Sequence, residues 1–174
     1  MRKSILSCMT LCAAAMFGAQ AQAQAPAAVP DQMPFDIPYG PSITADKAAE
    51  IVKAVVAESK KGARNWKLAI SVVDPAGDLV YFYKMDQTQA GSVTISQGKA
   101  RTAARYRRPT QIFNNVMQTP AGAYIATLDA VPPVASPGGF PLIEGGRIIG
   151  AIGCSGATGD QDGVACKAGA DAMK

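Results

Sequence analysis

Arg101, Arg105 and Arg108 stand at i, i+4 and i+7, so a helix carrying them presents all three on one face, with Lys99, Tyr106 and Arg107 alongside. No denser charge feature occurs in the chain. Guanidinium forks pair bidentately with carboxylates, which makes Lys99, Arg101, Arg105, Tyr106, Arg108 and the adjoining Thr110 the candidate ligand-binding set for an acidic small molecule. A solvated face or salt bridges between subunits would use the same residues. The chain has no histidine, which excludes Ser-His and Cys-His nucleophilic pairs, His-ligated zinc and His-ligated haem iron. Iron would then need Tyr, Met, Cys or Lys, or no ligand from this chain. Tyr81, Tyr83 and Met85 alternate on one strand and read as core or interface residues.

Other motifs carry less. Ser96-Gln97-Gly98-Lys99 matches a serine activated by a lysine one turn on, but its companion motifs are missing. Gly153-Cys154-Ser155-Gly156-Ala157 resembles a nucleophile elbow without a base. Those glycines would suit a phosphate before the last helix, yet Asp160 and Asp162 already occupy its positive end, so capping is the stronger reading.

The elements that must position these groups follow from periodicity and punctuation. Thr44 caps a first helix over 45–61, whose Ala48, Ile51, Val52, Val55 and Val56 fall on one face. Lys67–Val73 and Leu79–Met85 read as strands joined at Asp74-Pro75-Ala76-Gly77-Asp78. A helix from Ser92 to Arg108 follows, stopped by Pro109, and Thr110 caps a short helix through Met117. Its Ser96, Ala100, Ala103 and Ala104 allow close approach of a neighbouring backbone, with another subunit as one candidate. A strand is expected at Ala123–Leu128, then a hairpin of Phe140–Ile143 and Arg147–Cys154 around Glu144-Gly145-Gly146. Thr158 and Gln161 form a capping box for a last helix with Val164, Ala165, Ala168 and Ala172 on its apolar face. The fold class is α/β in the α+β sense, a single domain with an antiparallel sheet covered by helices.

The 174 residues suit one domain, and 48% hydrophobic with 17% charged composition supports a folded core. Arg2 and Lys3, an apolar stretch and Ala-Gln-Ala sites read as a secretory signal over 1–23, followed by a Pro/Ala-rich arm over 24–42 and the domain over 43–174. Export to the periplasm or secretion is expected, with no integral membrane segment. Losing Arg2 and Lys3 lowers the net charge from +4 to +2, too little for a nucleic-acid partner. Cys8 and Cys12 leave too, and Cys154 and Cys166 remain as a disulfide or as two small buried hydrophobes.

The order of motifs is specific. Ser71-Val72-Val73-Asp74-Pro75-Ala76-Gly77-Asp78 precedes Lys99-Ala100-Arg101-Thr102-Ala103-Ala104 and Arg108-Pro109-Thr110, then Pro137-Gly138-Gly139-Phe140-Pro141-Leu142 and the stretch from Gly150 through Ser155-Gly156 to Asp162. Across 43–172 this resembles the GlcG/HbpS family, which includes haem-binding proteins and PduO C-terminal domains. The resemblance implies a profilin-like α/β sandwich, symmetric homo-oligomers such as octamers, and binding of haem or a related tetrapyrrole in some members. Gly138, Gly139, Pro141, Ser155 and Gly156 are then structural loop positions. It implies no well-defined catalytic residues, and the haem-iron histidine of some members has no counterpart here. Binding of haem, with an axial ligand other than histidine, is the first reading. A small enzyme, a hydratase, isomerase or haem-degrading activity with Asp74 or Asp162 in proton transfer, is the rival, and a ligand-free structural or sensor-partner protein is the third.

Overall fold

Two strands, Ala69–Val73 (β1) and Arg147–Ser155 (β4), are buried along nearly their whole length, so each must be covered on both faces. In the computed structural model, which describes residues 32–173, helices supply that cover. The remaining elements are α1 (Ala45–Ser59), β2 (Leu79–Lys84), α2 (Ser92–Tyr106), α3 (Gln111–Met117), α4 (Gly122–Ile125), β3 (Gly139–Glu144) and α5 (Gly159–Asp171). The sheet is antiparallel in the order β2-β1-β4-β3. This is the α+β sheet-and-helix domain that the patterning calls for. The signal expected at 1–23 and the start of the arm lie outside the described residues.

The sheet's two faces are built from different residues. Ile70, Val72, Leu142, Ile152 and Cys154 face α1 and α5, where Ile51, Val52, Val55, Ala165 and Cys166 complete an aliphatic core. Val73 and Ala151 face α2 and meet Ala100, Ala103 and Ala104. Small residues on both sides bring the backbones close: a Cβ on Gly153 would lie 2.2 Å from the Ser96 carbonyl oxygen. The partner of α2's small-residue face is therefore β4 of the same chain, and the subunit contact considered for that face is corrected. Ala100, Ala103 and Ala104 have no exposed surface.

Three local expectations are also corrected. Residues 123–128 do not form a strand. Gly122 and Ile125 are buried at i, i+3 spacing with exposed neighbours, and Gly122 sits so close to the Met117 carbonyl that α4 folds back on α3. The helix expected to reach Arg108 ends at Tyr106, because Arg107 turns left-handed (φ 56°) and Pro109 keeps its predecessor out of the helix. On α5 the buried face is Asp162, Ala165, Cys166 and Gly169, whereas Val164 and Ala172 face solvent. The Thr158–Gln161 capping box is present with both of its hydrogen bonds.

Residues 33–42 of the arm belong to the packed domain. The Gly40 amide donates to Ile148 O and the Ile148 amide to Pro38 O, which adds a short bridge beside β4. The Tyr39 hydroxyl lies 3.0 Å from both the Ala104 and Arg105 carbonyl oxygens and so serves the open end of α2.

Candidate functional site

The six candidate ligand residues separate into two groups. Lys99 points inward, 1% exposed, and its ammonium donates to Asp162 Oδ2 at 2.8 Å and to the Cys154 carbonyl at 3.0 Å. Asp162 Oδ1 accepts the Ala157 amide at 3.0 Å. This pair ties α2, the end of β4 and the first turn of α5 together, and every polar atom in it has a partner. Burial lowers the Lys99 pKa and raises that of Asp162, each partly opposed by the other's charge and hydrogen bond. Thr110 is also fully buried, and its Oγ1 accepts the Gly139 amide at 2.9 Å in place of capping α3. Lys99 and Thr110 therefore hold the Gly138-Gly139 loop, and neither presents a surface to a ligand. That corrects their assignment as contacts. Gly139 has no room for a Cβ, which would lie 2.5 Å from the Lys99 carbonyl oxygen.

The other structural-loop positions act on the same scaffold. Gly156 passes the Lys67 carbonyl too closely for a side chain, Ser155 is buried near Ser92, and Pro141 lies half-buried on edge strand β3. Cys154 and Cys166 are joined in a disulfide with Cα atoms 5.6 Å apart, fastening β4 to α5.

Two catalytic possibilities meet occupied groups. Ser96 Oγ bonds to Ser71 Oγ at 2.8 Å and to Val93 O, while the Lys99 ammonium is committed to Asp162. Asp74 Oδ1 accepts three amides, from Ala76, Gly77 and Asp78, each at 2.9 Å, and so braces the β1–β2 turn.

Arg101, Arg105, Tyr106 and Arg108 form the second group, at the outer face and C-terminal end of α2. Because the helix ends at Tyr106, Arg108 leaves the stripe. Arg101 donates to Gly77 O at 3.4 Å, and the exposed Arg105 pairs with Asp129 at 2.9 Å. Both line a small depression of about 40 Å³ with Tyr106, Asp129 and Pro132. Tyr106 separates this depression from a larger hollow of about 360 Å³ that also takes in Arg108, Ile112, Phe113, Val116, Tyr124, Ile125 and Leu128. Tyr106 packs edge-on against Phe113, with centroids 5.2 Å apart, and burial with Asp129 nearby raises its pKa. The Arg108 guanidinium lies 4.6 Å above the Phe35 ring, and its Nε donates to the Tyr106 carbonyl. Burial and the adjacent Arg107 lower its pKa, so an anion at this corner relieves both penalties. The arrangement is an apolar, aromatic wall with guanidinium groups at its margin. It suits a flat hydrophobic molecule bearing carboxylates.

Residues 43–171 match the family model described as "Haem degrading protein HbpS-like". The chain belongs to the HbpS-like family. Protein GlcG of Escherichia coli K12 is 36% identical over 114 residues, covering 65% of this chain and 81% of that protein. The crystal structure of HbpS superimposes with a TM-score of 0.67 at 26% identity, over 80% of this chain and 95% of that one. The PduOC:heme complex shares the fold at a TM-score of 0.66 and 21% identity, over 75% of this chain and 94% of that one. The HbpS-like match includes both the buried Lys99–Asp162 frame and the outer hollow.

The outer hollow was not legible from spacing. Two of its lining residues, Tyr124 and Ile125, lie on α4, where a strand is expected. The Lys99–Asp162 pair had a signal: a lysine between Ser96, Ala100 and Ala103 on a helix's small-residue face must find an anion if that face is buried. Among the described residues, no group of three or more His, Cys, Asp or Glu side chains gathers to hold a metal ion. No described helix is long and apolar enough to cross a membrane.

Proposed function

We propose that this chain is an exported homo-oligomeric protein that binds haem or a related tetrapyrrole in the hollow at the end of α2. The observation carrying this reading is that hollow, with five aliphatic or phenyl side chains against Tyr106 and Tyr124, and Arg108 as its cation. Membership of a family described by haem chemistry supports it.

The residues fit the group. A tetrapyrrole needs an apolar wall, cations for its carboxylates and a donor toward iron. The hollow supplies the wall, Arg108 and Arg105 the cations, and the tyrosines the donor. At about 360 Å³ it lies near the lower end of the roughly 300–1,000 Å³ of small-molecule sites. The depression beside Arg101 and Arg105 takes a carboxylate in exchange for Asp129. Export is supported by the signal-like pattern of 1–23, and the Cys154–Cys166 bridge suits an oxidising compartment.

Titration with ferric haem tests the reading. Arg101→Gln/Arg105→Gln should weaken haem by about 1–3 kcal/mol, the range for a charge-assisted hydrogen bond, and haem dimethyl ester should bind poorly to the unaltered protein. Equal binding of acid and ester by both proteins removes the arginines from the site, and no haem binding at all removes the function. The family's description favours haem degradation as a second reading. Loss of bound-haem absorbance under peroxide, with release of iron beyond that of free haem, would establish it.

A further inference from the structure

We infer that Tyr124 is the axial ligand of a ferric tetrapyrrole seated in the hollow of α3 and α4, an inference that rests on the haem binding proposed above. Of the eight side chains lining that hollow, five are hydrocarbon and Arg108 remains a cation, which leaves the phenols of Tyr106 and Tyr124 as the only groups able to bind iron. The two are not equivalent. Tyr106 is wedged against Phe113 between the two depressions, and burial and Asp129 disfavour its phenolate. Tyr124 stands at the rim on α4, 64% exposed, free to turn toward a ligand entering from solvent.

Arg108 lines the same hollow and offers its guanidinium to a carboxylate of the ligand. Coordination exchanges the phenol O–H bond for an Fe(III)–O bond, the proton passes to solvent, and iron keeps its oxidation state. α4 is a single turn tucked on α3 by the close approach of Gly122 to Met117, which holds the backbone that carries the exposed Tyr124 side chain. A second tyrosine-lined hollow lies between α1 and β2, with Tyr81, Tyr83 and Lys53. Its one cation is a lysine, which lacks the fork that grips a carboxylate bidentately, and no arginine lines it.

The experiment compares ferric haem with iron-free protoporphyrin, which has no axial demand, on the full chain. The unaltered protein should bind both and show phenolate-to-iron charge transfer in its absorption and resonance Raman spectra. Tyr124→Phe should abolish that signature and weaken ferric haem about tenfold or more while leaving protoporphyrin affinity unchanged. Tyr124→His should replace it with an imidazole-type spectrum, and Tyr106→Phe should leave it in place. If the unaltered protein binds neither porphyrin, the proposed function itself fails. If it binds both and Tyr124→Phe keeps the signature, or if Tyr81→Phe/Tyr83→Phe removes it, haem binding stands and the ligand assignment is overturned.

Discussion

On the inward face of α2, Ser96, Lys99, Ala100 and Ala103 are at most 1% exposed, whereas Arg101 and Arg105, a short rotation away, stand in solvent beside the small depression. Both faces carry cations paired to a carboxylate. Lys99–Asp162 is dry, saturated by amides and carbonyls, and links three elements, while Arg105–Asp129 is wet and exchangeable. A buried pair has no water to fall back on if either partner leaves, but an exposed guanidinium can trade one carboxylate for another at little expense. The inner face therefore serves the fold and the outer face is free to serve a ligand.

Removing one inner partner should break the comparison most forcefully. Lys99→Met leaves Asp162 buried without its counterion and should lower unfolding free energy by about 3–5 kcal/mol, measured by urea denaturation. Lys99→Met/Asp162→Leu should recover most of that loss, because it removes both charges. Reducing the Cys154–Cys166 bridge, which closes a 12-residue separation, should lower stability by about 2–3 kcal/mol if chain entropy dominates. On the outer face, Arg105→Gln should alter unfolding free energy by less than about 1 kcal/mol, since Arg105 and Asp129 are both partly solvated.

A pH dependence sharpens the same contrast. Burial outweighs the hydrogen bonds to Asp162 and holds its pKa above the ordinary carboxylate value. The native state then keeps this proton to higher pH than the unfolded chain, so the group's contribution to stability is fully present below the unfolded pKa of about 4 and is lost as pH rises through the folded value. Relative to Asp162→Asn, the wild type should lose stability as pH rises through that window. The opposite slope in urea midpoints would show that Lys99 dominates and the carboxylate is ionised throughout.

The sheet, the capping box and the hairpins were legible because each depends on neighbours in sequence: the β-branched run of β1, Thr158 with Gln161, and Gly145-Gly146 in the last turn. The arginines were legible as a cluster, but not as a site. Arg108 leaves the stripe because Arg107 adopts a left-handed backbone, a choice visible only when Pro109 and the arm residues Phe35, Asp36 and Tyr39 are placed around it. Tyr124 was hidden by the expected strand, whose apolar run 123–128 suits either period in so short a stretch. Lys99 and Thr110 stood among the ligand residues because periodicity gives a residue's angle on a helix and not what covers that angle. Lys99 finds Asp162 63 residues away, a distance no local pattern spans.

The central claim is that the two faces of α2 divide stability from binding. Ferric haem titration of Lys99→Met/Asp162→Leu beside Arg101→Gln/Arg105→Gln, each with its urea midpoint, tests it most directly. The inner variant should bind haem within about twofold of the wild type whatever its midpoint, whereas the outer variant should keep its midpoint and bind about 5- to 150-fold more weakly, equivalent to about 1–3 kcal/mol. Wild-type haem affinity in the outer variant, or its loss in a folded inner variant, would contradict the account.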